Sequence, residues 1–191
     1  MRVVAFNGSP RKGGNTHRYL EAVLEPLRAA GHETELIQIG GSMVRGCTAC
    51  MSCRESGEGR CVYDDDPVNS WIEAMQRGDA LLIGSPVYFS DLTTEVKALI
   101  DRAGYALRGL PENPLRRKVG AGVAVARRAG HTHTLMSINQ FFFINDMIVP
   151  GSSYWNVGLA RAIGDAEADE EGLKTMARLG ENIDWLLEKL A

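Results

Sequence analysis

Residues 8–16 read GSPRKGGNT, between an apolar run, RVVAF (2–6), and a helical pattern that begins at Thr16. A strand, a glycine-rich turn and a helix in that order put free backbone N–H groups and the positive end of a helix dipole at the turn. That is an anion site. Gly8 and Gly13 have the spacing of a nucleoside-triphosphate loop, which needs Lys and then Ser or Thr directly after the second glycine. Gly14 and Asn15 stand there instead. The guest that remains is a terminal phosphate monoester. Ser9, Asn15 and Thr16 offer hydrogen bonds, Arg11 and Lys12 offer charge, and Gly13 with Gly14 lets the backbone curl around the anion.

The rest of the chain repeats the strand-to-helix alternation. Residues 16–30 place Leu20, Val23, Leu24 and Leu27 on one helical face and stop at Gly31. Residues 32–39 alternate as a second strand. Asp66 and Pro67 read as the N-cap and first residue of a helix ending near Arg77, which assigns the run Asp64–Asp66 to capping. Further strands are expected at 79–84 and 118–126 and a short fifth at MIVP (147–150). Helices are expected at 93–107, 132–145 and 169–190. Gly120 and Gly122 inside the fourth strand point to close backbone approach and lack the third glycine of a dinucleotide fingerprint.

Nearly unbroken apolar strands alternating with helices predict an α/β fold: a doubly wound, five-stranded parallel sheet covered on both faces, flavodoxin-like in strand order. The chain of 191 residues suits one domain, residues 1–191, with a cysteine segment (47–61) after the second strand. In such sheets ligands lie beyond the carboxyl ends of the strands. The loops to inspect are therefore 7–15, 85–92 and 127–131.

A formal net charge of −3 gives no reason to expect nucleic acid or an anionic membrane as partner. The first strand starts at Arg2 and no apolar run is long enough to span a bilayer, so a cytoplasmic protein is expected. All four cysteines, Cys47, Cys50, Cys53 and Cys61, fall in one short segment. In a reducing compartment, clustered thiols indicate metal or redox chemistry.

The loop after the third strand, SPVYF, sets Pro86, Val87, Tyr88 and Phe89 beside the same crevice as the phosphate cradle. An aromatic, apolar wall next to a monophosphate site suits a flat heterocycle carrying one phosphate, and FMN fits. Taken with EVKALIDR (95–102), these stretches resemble the NADPH-dependent FMN reductase branch of flavodoxin-like proteins. The segment CTACMSCRESGEGRCVYDDD (47–66) narrows the resemblance to the iron-sulfur flavoproteins, and VPG (149–151) with DEEGLKTMARLGENI (169–183) extends it nearly end to end. The resemblance implies FMN held by Ser9, Arg11, Asn15 and Thr16 with its ring against residues 86–89, and a homodimer or homotetramer. One departure is RRAGHTHT (127–134), where many relatives carry a glycine pair followed by Gln; His131 and His133 read there as surface and capping residues.

The cysteines have two residues between each of the first three and seven before Cys61. The compact part resembles bacterial [4Fe–4S] ligation, with Cys61 supplying the fourth corner and Gly57 and Gly59 letting the chain wrap. Zinc also accepts four thiolates, more often from two separated pairs, and plain thiols are the third alternative. The expected function is FMN-dependent electron transfer, with FMN and a [4Fe–4S] cluster passing electrons between a ferredoxin-like carrier or NAD(P)H and a small-molecule acceptor. The alternatives are an NAD(P)H-dependent FMN or quinone reductase without a cluster and a zinc-stabilised flavin-binding module. No side chain is expected to act as catalytic acid or base. Arg127 and Arg128 are candidates for steering a phosphorylated nicotinamide.

Overall fold

The computed structural model describes residues 1–190. Five strands, β1 (Arg2–Asn7), β2 (Glu33–Gln38), β3 (Ala80–Pro86), β4 (Val119–Ala126) and β5 (Val157–Leu159), form one sheet in the order β2-β1-β3-β4-β5. Every pairing is parallel. This is the flavodoxin-like order, as the alternation of elements predicts. The main helices are α1 (Asn15–Ala29), α3 (Val68–Arg77), α4 (Thr94–Leu107), α5 (His131–Ile144) and α6 (Glu170–Leu190), with a short α2 (Ser52–Ser56) inside the cysteine segment.

Side chains alternate across the sheet, so each strand feeds two cores. Val4, Phe6, Leu81 and Ile83 pack with Trp71, Ile72 and Met75 of α3, Leu99 of α4 and Phe142 of α5. Val3, Ala5, Leu82 and Val123 pack on the other face with Leu20 and Leu24 of α1 and Leu179 and Ile183 of α6. A Cβ on Gly120 would meet the Phe142 ring and one on Gly122 would meet Leu135 and Ile138, so these glycines let α5 lie close on β4.

The fifth strand differs from the sequence expectation. MIVP forms a single bridge, Ile148 against Val119, before the chain runs on. The strand that completes the sheet is Val157–Leu159, paired with Ala124–Ala126. The β-branched pair in MIVP gives the stronger local signal, whereas Val157–Leu159 is only three residues long and contains a glycine. Tertiary pairing overrides local propensity here. The correction matters because it brings a fourth loop, after Leu159, to the carboxyl edge.

Asp169 fastens that region. Its carboxylate accepts from the Tyr19 hydroxyl at 2.6 Å, the Leu159 N–H at 3.0 Å and the Gly172 N–H at 3.0 Å, tying α1, β5 and the start of α6 together. Burial opposes its ionisation, and these three donors outweigh burial, so its pKa is lowered. Replacing Asp169 with Ala is expected to destabilise the fold by about 2–3 kcal/mol at pH 7, from a lost helix cap and a lost charge-assisted bond. A depressed folded pKa gives stability that is present above the unfolded value of about 4 and is lost as pH falls through the folded pKa. The difference between parent and variant in urea unfolding should accordingly be full at neutral pH and shrink below about pH 4.

Candidate functional site

The turn after β1 is set by its neighbours. Gly8 donates its N–H to the Gly84 carbonyl at 2.8 Å, and Thr93 Oγ1 donates to the Gly8 carbonyl at 3.0 Å. A Cβ on Gly8 would collide with Val96 and the Gly84 carbonyl, so only glycine lets β1 end this close to α4. Asn7 Oδ1 accepts from Ser9 N–H at 3.1 Å, and Gln38 Nε2 donates to the carbonyls of Ser9 (2.6 Å) and Gly40 (2.8 Å). Gly13 takes a φ of +63° to turn the chain into α1, whose first turn carries no acidic residue. The helix dipole is thus left free to meet an anion.

One cleft of about 290 Å³ opens at this edge, and four loops line it. The first gives Ser9, Arg11, Asn15 and Thr16, and the second gives Pro86, Val87 and Tyr88. Val125 and Arg127 come from the end of β4, and Ala160 and Arg161 from the loop after β5. The sequence-derived candidates from two distant loops therefore meet. Gly14 is buried at the cap of α1, Lys12 is exposed, and neither lines the cleft; nor does Phe89. Arg127 lines the cleft and Arg128 does not. His133 lies 3.6 Å from Asp91, outside the cleft.

The fourth loop lies outside the three that the sequence points to, because the strand before it starts ten residues after MIVP. It is held by Asn15, whose amide donates to the Ala162 carbonyl at 2.6 Å and whose carbonyl accepts from Gly164 and Ala166 N–H at 3.1 and 3.2 Å. Asn15 thus spends its side chain positioning Arg161 beside Arg11. Arg11 Nη1 donates to the Arg161 carbonyl at 3.2 Å. With Arg127 added, three arginines line one cleft.

Cys47, Cys50, Cys53 and Cys61 line one small recess with Tyr63, Arg102 and Tyr105. The segment curls through left-handed conformations at Ala49 (φ +52°), Met51 (φ +64°), Gly57 (φ +63°) and Gly59 (φ +70°). Such turns aim backbone N–H groups inward, the geometry of many iron-sulfur sites. Ala49 N–H donates to Cys47 Sγ at 3.4 Å, and donors on Ser52 lower the pKa of Cys50. Burial, then the neighbouring thiols, raise that of Cys53. Among the described residues no three His, Cys, Asp or Glu converge as a single-ion site. Each sulfur's position follows its χ1 rotamer, so the width of the recess follows the thiols.

Asp64–Asp66 does more than cap. Asp66 Oδ1 accepts from Val68 N–H at 3.1 Å, at the start of α3, while Oδ2 pairs with the fully buried Arg102. Burial opposes ionisation of Asp66, and the bonds from Arg102, Arg45 and Val68 hold its pKa below the usual range.

A parallel doubly wound sheet with a phosphate-ready turn and an aromatic-flanked cleft at its carboxyl edge defines a flavodoxin-like flavoprotein. Comparison with known proteins carries this further. Residues 1–162 match the family model described as NADPH-dependent FMN reductase. An iron-sulfur flavoprotein of Methanocaldococcus jannaschii is 36% identical over 190 residues, covering 96% of this chain and 95% of the relative. One from Methanosarcina thermophila is 33% identical over 190 residues, covering 98% and 96%. The fold is shared with an NAD(P)H:quinone oxidoreductase from Methanothermobacter marburgensis, at a TM-score of 0.70 and 20% identity over 96% of each chain. The chain belongs to the iron-sulfur flavoprotein family within the NADPH-dependent FMN reductases, and it is a flavin-dependent oxidoreductase.

The turn over the cleft carries strain. Tyr88 and Asp91 exchange backbone bonds of 2.8 and 3.1 Å around Phe89 and Ser90, whose φ values are +48° and +70°. Two positive φ values make a type I′-like turn that favours Asn-Gly, and here Phe occupies it with its ring fully exposed. Relief of about 1–2 kcal/mol of left-handed strain should offset the roughly 0.5–1 kcal/mol entropic cost of glycine. Phe89→Gly is therefore expected to leave the melting temperature unchanged or raise it. A clear drop would mean that the ring is packed in solution.

Proposed function

We propose that this chain is an electron-transfer flavoprotein that binds FMN in the arginine-lined cleft and a [4Fe–4S] cluster among the four cysteines. When bound, FMN exchanges electrons singly or in pairs and a cluster exchanges them one at a time, which suits mediation between donors and acceptors of different electron number. The observation that carries the reading is that all four cysteines line one recess, with the Ala49 N–H on Cys47 Sγ and a buried guanidinium against it. That donor set fits a thiolate-ligated cluster.

In this reading the residues hold and orient. Ser9, Thr16 and the N–H groups that open α1 take the phosphate. Arg11 neutralises it, and Asn15 acts at one remove by holding the Arg161 loop. Pro86, Val87 and Tyr88 form the wall for the ring. Arg127 and Arg161 give the mouth of the cleft positive charge, which suits a phosphorylated nicotinamide or an acidic carrier protein. We take a ferredoxin-like carrier or NAD(P)H as donor, a small molecule as acceptor, and a homodimer or homotetramer as the assembly.

Arg11→Ala should weaken FMN binding by about 1.5–3 kcal/mol, the value of a hydrogen bond to a charged group. Riboflavin, which has no phosphate, should bind the parent poorly and be little changed by the substitution. Titration calorimetry with both ligands checks this; equal losses for the two would remove Arg11 from the phosphate contact.

Cys61→Ser should leave FMN content normal while the cluster is lost or altered, because a harder oxygen replaces thiolate at one corner. Iron, sulfide, zinc and FMN per chain, measured after anaerobic preparation, decide between the readings. Full FMN without iron, even after reconstitution, would make the cluster-free NAD(P)H-dependent FMN or quinone reductase the better account. Zinc without iron would favour the zinc-stabilised module.

A further inference from the structure

Arg102, on α4, is a buried guanidinium whose side chain has no exposed surface. Nη1 donates to the Arg45 carbonyl at 3.1 Å and to Asp66 Oδ2, and Nη2 donates to the Tyr63 carbonyl at 2.8 Å. Arg45 lies two residues before Cys47 and Tyr63 two residues after Cys61, so one side chain clasps both ends of the cysteine segment. The Nε–H is different. Nε is buried and has no hydrogen-bond partner among the described residues, although Arg102 lines the cysteine recess. A buried, charged N–H left unpaired is costly, and such groups in native structures call for a missing acceptor.

We propose that Arg102 is a positioning residue of the four-cysteine site: its Nε–H would donate to sulfur of a cluster held there and raise that cluster's reduction potential. The proposal rests on the cluster reading above. Two observations favour this acceptor. Sulfur is what the recess presents, from four cysteines and nothing acidic. Asp66 and the two carbonyls also take three of the four Nη–H donors, which fixes the guanidinium plane. Adding an electron to the cluster adds negative charge. A fixed N–H donor and cation at its sulfurs stabilise that reduced state, and hydrogen bonds to sulfur are a recognised control of cluster potential.

The test uses the full chain, prepared without oxygen and loaded with FMN and iron. Arg102→Lys keeps the charge beside Asp66 but loses the fixed Nε–H. The double variant Arg102→Gln with Asp66→Asn removes both charges together, leaving neither buried and unpaired. Redox titrations followed by electron paramagnetic resonance read the cluster potential, and the FMN potential of the same chain serves as the internal control. Both variants should shift the one-electron reduction equilibrium of the cluster at least tenfold toward the oxidised form, about 59 mV, with the FMN couple unmoved. Variants that retain iron and the parent's cluster potential would overturn the proposal, leaving Arg102 a clasp of the segment alone.

A measurement on the parent keeps the test independent of variant folding. With arginine labelled by ¹⁵N, pulsed resonance of the reduced cluster should detect a weak guanidinium nitrogen coupling. Its absence overturns the proposal even if both variants fail to assemble. A parent that takes up no iron after reconstitution overturns the cluster reading itself, which is a different failure from an iron-loaded parent without the coupling.

Discussion

Gly8 donates its N–H to the carbonyl of Gly84 because no side chain stands between the end of β1 and α4. That single close approach brings two loops 76 positions apart in sequence into register at the carboxyl edge of the sheet. Thr93 then closes the same joint from the start of α4 through its bond to the Gly8 carbonyl. The anion-ready turn, the wall of Pro86 to Tyr88 and the direction in which α4 leaves the sheet all follow from it. A methyl group at position 8 would force β1 and α4 apart and disturb every one of these relations.

The sequence was a good guide to whatever depends on runs and turns. Four of the five strands and all the long helices follow from apolar periodicity and glycine stops, because such patterns are consequences of burying one face of a helix or both faces of a parallel strand. The meeting of Ser9, Arg11 and Thr16 with Pro86 to Tyr88 was legible for a related reason, since parallel strands deliver their following loops to the same edge. The fifth strand was not. Its three residues owe their extended form to pairing with Ala124–Ala126, and nothing local distinguishes them from loop. Arg161 lies on the loop that follows this strand, outside loops 7–15, 85–92 and 127–131.

Side-chain partners across long separations were hidden for a different reason. Asn15 looks like a phosphate donor from its place at a helix start, yet its amide is engaged by backbone 147 to 151 residues away. Asp66 reads as the N-cap, yet the cap falls one residue later at Pro67; one Asp66 oxygen takes the Val68 N–H and the other serves a guanidinium 36 residues on. Periodicity records which face of an element is buried; it does not record which atom a buried polar group finds. The exposed ring of Phe89 belongs to the same class, because a turn rich in aromatic residues gives no sign that its backbone will take left-handed angles.

Helix α4 touches both sites, and its stiffness makes it a spacer. Thr93, at its N-terminal end, is bonded into the loop after β1, and Arg102, nine positions further, clasps the cysteine segment. At about 1.5 Å per residue that interval is roughly 13 Å, and it depends on helical pitch, not on the conformation of either loop. The separation of the two ends is therefore insulated from substitutions in the loops, but not from insertions between them. One added residue would turn Arg102 by about 100° around the axis and point it away from the thiols. The helix works as a ruler whose smallest error is a rotation, so the spacing from Thr93 to Arg102 can vary in composition but not in count.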